Sequence, residues 1–175
     1  IYTPRTLFPY TTLFRSEIIQ PENEMEPIID KNKFPYTREI IKQMQWREFE
    51  KFCRDLFEET GQYKSIELTQ EKYDGGKDII LDSKIYVECK RYTDKATHEE
   101  YMIGREICQK LTGAMIADGI NEGIIITTGN IHQNAWDYTR KLKLKTKINI
   151  KLMDLNDIMK IIETINASEI LVSNL

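Results

Sequence analysis

Residues 123–128, Gly-Ile-Ile-Ile-Thr-Thr, constrain the fold of this chain more than any other segment. The run is β-branched and does not alternate with polar residues, so as a strand it needs cover on both faces. A strand covered twice lies centrally in a sheet sandwiched between helices. The flanking periodicities supply those helices. Trp46, Phe49, Cys53 and Phe57 recur at helical spacing, with Gly61 placed to end the turn. Thr97 and Glu100 form a capping box that predicts a helix carrying Ile103, Ile107, Leu111 and Ala114 on one face and ending at Gly119. Further helices are predicted over Ile131–Leu142 and from Asp154 and Asp157 to near Ile165. Strands are predicted at Lys64–Thr69, Ile79–Leu81, Ile85–Lys90 and Ile148–Met153. The order α, β, β, β, α, β, α, β, α implies a three-layer α/β sandwich around a mixed central sheet.

Bulk properties narrow the function. Residues 6–16 (TLFPYTTLFRS) resemble a translated sequencing adapter, so residues 1–16 are set aside as a non-native tail. The remaining 159 of 175 residues suit one domain with a proper core. Residues 17–43, with Pro21, Pro27 and Pro35, read as a linker and lead-in; 44–165 as the domain; 166–175 as a C-terminal tail. A linker carries the expectation of a further recognition or partner domain before it. Three cysteines, no signal peptide and no apolar run of membrane length point to a reducing, cytoplasmic setting without a membrane. The net charge is −3, or −5 once Arg5 and Arg15 leave with the tail (23 cations against 28 acids). That balance does not advertise nucleic-acid binding. Residues 140–151 nevertheless hold six cations and no acid, and Lys90, Arg91 and Lys95 form a second basic stretch. A lysine run is more often a solvated face than a phosphate track.

The chemistry concentrates between Tyr73 and Arg91. Glu88 and Lys90 are two apart in a strand and so project from one face, while Val87 and Cys89 face the other. Asp78 joins them only in one register. A two-residue loop at Asp82 and Ser83 sets it opposite Val87; a three-residue loop through Lys84, or one bulge, sets it opposite Glu88. The longer loop or bulge is expected. Two carboxylates so placed repel unless a cation lies between them, and hard oxygen ligands with room for water suit Mg²⁺. Such a site can polarise a phosphodiester and activate water, with Lys90 orienting the nucleophile or neutralising developing charge. Glu50 lies on the apolar face of its helix, where a charge requires a partner; it either meets an internal Lys or Arg or faces the metal site across the sheet. His98 and His132 stand alone and read as surface or capping residues, and the cysteines, lacking CxxC spacing, read as core.

Four ordered segments carry a resemblance: Trp46-Arg-Glu-Phe-Glu50, Tyr73-Asp-Gly-Gly-Lys-Asp78, Val87-Glu-Cys-Lys-Arg-Tyr92, and Gly123 to Gly129 followed by Ala135. Over about Met44 to Ile162 the chain resembles the Mrr-type restriction endonuclease catalytic domain of the PD-(D/E)xK nuclease superfamily. The resemblance implies a restriction-endonuclease-like fold, with Asp78, Glu88 and Glu50 as metal ligands and Lys90 as the catalytic lysine. It implies Mg²⁺, with Mn²⁺ able to substitute, and DNA as substrate, in restriction of foreign or modified DNA. Arg91, Lys95, Lys143 and Lys145 are the expected phosphate contacts. A homodimer on DNA follows if both strands are cut. Two departures stand out: Lys77 occupies a position that is usually apolar, and Glu88 one where relatives often carry glutamine. The competing readings are a structure-selective nuclease resembling a junction resolvase, and a non-catalytic DNA-binding or scaffold domain that keeps the fold.

Overall fold

A computed structural model describes residues 34–70, 76–92 and 102–172, with side chains through Ala167. The Asp74-Gly75 part of the turn motif, Lys95, the Thr97–Glu100 capping box, His98 and residues 1–33 lie outside the described residues. The elements are α1 (Arg38–Gln43), α2 (Trp46–Glu59), β1 (Ile66–Leu68), β2 (Ile79–Leu81), β3 (Ile85–Lys90), β4 (Met102–Ile103), α3 (Arg105–Asp118), β5 (Glu122–Thr127), β6 (Asn130–Ile131), α4 (Gln133–Lys145), β7 (Asn149–Met153) and α5 (Leu155–Val172). The main sheet has the order β1-β2-β3-β5-β7. Its first three strands pair antiparallel, and β3, β5 and β7 run parallel. The fold is therefore the mixed-sheet α/β sandwich the sequence implies, with β5 central between β3 and β7.

The β-branched run explains that centre. Ile124 and Ile126 pack into one apolar cluster with α2 and α5; Ile125 packs into the other with α3 and α4. On the first side Phe49, Phe52, Cys53, Leu56 and Phe57 form the buried stripe of α2, at spacings of three and four residues. Burying one such side chain fully is worth about 1.5–3 kcal/mol. Trp46, although in phase with that stripe, is 55% exposed, because it is the first residue of α2. On the second side Cys108, Leu111, Thr112 and Met115 are the buried face of α3. Gly123 lets that helix approach closely: a Cβ there would lie 2.8 Å from the Met115 sulfur and 3.2 Å from Leu111.

Four local expectations change. The third helix starts at Arg105, not near Thr97, because Met102 and Ile103 pair as a strand with Asn130 and Ile131. Ile103 is thus fully buried from a strand instead of a helix face, and Gly104 in extended conformation is the N-cap. The helix still ends at Gly119, whose φ is 71°. β6 takes Ile131, so α4 opens at Gln133 with the His132 side chain accepting from Asn134 N at 3.1 Å, a capping role. The last helix runs on to Val172, well past Ile165. Finally, the end of the lead-in is folded: Phe34 and Ile41 are buried, and Phe34 N donates to Asn166 Oδ1 at 3.1 Å. A six-residue helix between a proline and another element carries too little periodicity to be read in advance.

Candidate active site

The hairpin of β2 and β3 sets the site. Leu81 opposes Ile85, Ile80 opposes Tyr86 and Ile79 opposes Val87, which leaves three residues in the loop. Asp82 and Ser83 both take positive φ, 52° and 55°, and Lys84 N donates to Leu81 O at 3.0 Å. Continued by one residue, this register places Asp78 opposite Glu88. The longer loop was the condition for Asp78 to join the other two residues, and it is met.

Asp78 leaves the strand ladder just there. Its backbone N donates to Val87 O at 2.7 Å, while its Oδ2 accepts from Cys89 N at 2.6 Å. The carboxylate is therefore pinned against β3 between Glu88 and Lys90. Burial, and then the repulsion of Glu88, push its pKa up to about 7 despite the Cys89 hydrogen bond. Glu50 adds to the repulsion across the sheet edge.

Glu88 is only 1% exposed on the α3 side of the sheet. Among the described residues neither of its oxygens receives a directed hydrogen bond. The Lys90 ammonium lies 2.5 Å from Oε1 all the same, a close ionic contact. Burial alone would lower the Lys90 pKa; the adjacent Glu88 carboxylate outweighs it and holds the pKa above its ordinary value. Lys90 is therefore a cation throughout the neutral range.

Glu50 meets the first of its expected alternatives, a basic partner. It is buried at 7% exposure, pairs with Arg47 Nη1 at 2.5 Å one helical turn earlier, and still lies within electrostatic reach of Asp78. Arg47 also donates from Nη2 to Thr69 O at 3.1 Å, tying α2 to the end of β1. Its spacing of three residues from Glu50 was the available signal, and it identified no specific residue beforehand. Lys110, on α3, was not signalled at all: its Nζ lies 3.5 Å from Glu88 Oε1.

Of the expected phosphate contacts, Arg91, Lys143 and Lys145 are not brought together, and Lys95 lies outside the described residues. Arg91 is half-buried, with Nη2 directed at Lys42 O at 3.4 Å. Lys143 and Lys145 are exposed on the last turn of α4. Lys90 pairs with Thr127 at one end of the parallel strands, whereas α4 returns the chain to Asn149, which pairs with Glu122 at the other end. The two lysines therefore stand at the end of the strands remote from Lys90. Lys77, in its unusual position, is anchored by Asp118 Oδ2 at 2.7 Å and lies over the Tyr86 ring at 4.4 Å. Its charge is paired and its stem covers apolar surface, which answers for a lysine there.

Among the described residues no three His, Cys, Asp or Glu side chains converge as a ready-made metal cage. What is present is a pair of carboxylates in mutual repulsion, one of them buried without directed partners. That donor set fits a hard divalent cation that keeps several waters. No helix among the described residues is long and apolar enough to cross a membrane. No curated protein and no solved structure gives a significant match. A family model described as restriction endonuclease, of the Mrr catalytic type, matches residues 41–162. That span is most of the chain and contains Glu50, Asp78, Glu88 and Lys90, so the chain belongs to the Mrr-type restriction endonuclease family.

Proposed function

We propose that the chain is a divalent-cation-dependent DNA endonuclease, using Mg²⁺, that acts in restriction of foreign DNA. The carrying observation is the meeting of Asp78 and Glu88 across the hairpin with Lys90 beside Glu88. Asp78 and Glu88 are the residues to hold the ion, with Glu50 behind them. Bound there, the cation supplies charge neutralisation and acidifies a water.

The chain's own groups do the rest. Asp78, fixed by the Cys89 amide, has one orientation in which to present its second oxygen. Lys90, held as a cation, sits where negative charge grows on a phosphodiester under attack, and stabilising that charge is expected to be the largest single contribution to rate. Arg47 holds Glu50 from swinging away.

The test is purified protein on supercoiled plasmid with and without Mg²⁺, beside Lys90→Ala and Asp78→Ala. Nicking that needs the ion and disappears in both variants supports the proposal. Nicking that survives in both variants, or wild-type protein that neither nicks plasmid nor binds Mg²⁺ or Mn²⁺ in a titration, rejects it.

A further inference from the structure

We propose that Lys110 is a second substrate-positioning lysine of this site, delivered from α3 to contact the phosphodiester lying over Glu88. The inference rests on the nuclease reading above and extends it to a residue outside every motif of the sequence. Three observations support it.

The first is placement. Lys110 Nζ is 3.5 Å from the same Glu88 oxygen that Lys90 approaches at 2.5 Å. Lys90 alone matches the one charge of Glu88, so the second ammonium is surplus to that carboxylate. Among the described residues around the site, three carboxyls, Glu50, Asp78 and Glu88, face three cations, Arg47, Lys90 and Lys110. Of the three cations Lys110 is the one nearest solvent, and so the one able to turn to an arriving anion.

The second is exposure. The Glu88 side chain is 2% exposed and that of Lys90 29%, whereas that of Lys110 is 55% exposed. Of the two lysines, Lys110 is therefore the outer one, on the side from which a duplex arrives. Its ammonium is a compact point charge on a flexible stem, suited to a phosphate oxygen.

The third is the path of its stem. Gly76 has φ +86°, and a Cβ there would lie 3.1 Å from Lys110 Cε and 3.6 Å from Cγ. The backbone before Asp78 thus lies directly against the lysine stem, and a side chain at this position would press on it.

The experiment measures binding of a short fluorescent DNA duplex over a series of salt concentrations without divalent ion, so that nothing is cut. The proteins are wild type, Lys110→Met, which keeps the stem over Gly76, and Lys110→Arg, which keeps the charge. Losing one phosphate contact lowers the slope of log K against log salt by about 0.9, roughly eightfold in affinity between 1 M and 0.1 M salt. Lys110→Met is expected to show that loss with an unchanged melting temperature, and with Mg²⁺ a raised KM at similar kcat. Lys110→Arg is expected to restore the slope. Should Lys110→Met melt early, Lys110→Gln gives the same reading. An unchanged slope in a folded, charge-removed variant of an enzyme that still nicks plasmid overturns the Lys110 role and leaves the nuclease reading intact. Wild-type protein that neither binds the duplex nor nicks overturns both.

Discussion

The two faces of β3 are one residue apart in sequence and opposite in physics. Val87 and Cys89 enter the apolar cluster under α2 and α5, among hydrocarbon side chains, rings and the Cys53 thiol. Glu88 and Lys90 turn toward α3, into a place nearly as buried but filled with charge. The first face gains its stability from area removed from water. The second spends stability: Asp78 is pushed up to about 7 by burial and by Glu88, and Glu88 lies buried without directed partners among the described residues. Such repulsion is retained at a site built to receive something, and the packed face is what holds it in place.

That contrast breaks most readily at the charged face. Lys90→Ala and Asp78→Ala are expected to lower the rate of Mg²⁺-dependent plasmid nicking about 10³-fold or more, and Asp78→Ala to melt no lower than wild type. A large loss of stability in either would mean that the charged face also carries the fold.

The packed face should behave in reverse. Leu56 is fully buried, and Leu56→Ala is expected to cost about 3 kcal/mol in urea unfolding. Cleavage per folded molecule should stay the same. Loss of cleavage at unchanged stability would show that the two faces are not separable.

Acidity sharpens the comparison further. The folded pKa of Asp78, about 7, lies above its ordinary 3.8. The associated stability is complete below the unfolded value and is lost as pH rises through the folded one. Without divalent ion, wild-type melting temperature should therefore fall between about pH 4 and pH 7, and Asp78→Asn should flatten that decline. Mg²⁺ binding should tighten across the same window, as the carboxyl ionises. Parallel melting curves for the two proteins would return Asp78 to an ordinary pKa.

The smallest effect lies in the loop that sets the register. Ser83 takes φ 55°, a left-handed conformation that a side chain disfavours, so Ser83→Gly is expected to raise stability by about 0.5–1 kcal/mol. Asp82, in the same backbone region, accepts from Lys64 N at 2.7 Å and Ser65 N at 2.9 Å, and Asp82→Ala should lose about 1 kcal/mol. Thermal melts of the pair check both signs.

Much of this was legible in the chain. The β-branched run required a doubly covered central strand, and period-two alternation required Glu88 and Lys90 to share a face. Loop length reduced the question of Asp78 to two registers, of which the structure takes the one that brings it to Glu88. What escaped was non-local or too short to be periodic. α1 has six residues, and the start of α3 depends on β4 finding β6 about thirty residues away.

The sequence by itself determined the sheet order's centre, the helices that cover it and the pairing of carboxylate with lysine, because those follow from local periodicity and from which side chains water rejects. Only the tertiary structure decided which cations reach the site. Arg47 and Lys110 arrive there through helix packing, while the richest run of lysines, 140–151, is carried to the far end of the strands by the direction of α4. Charge counts along a chain do not record direction in space; strand polarity and helix return do.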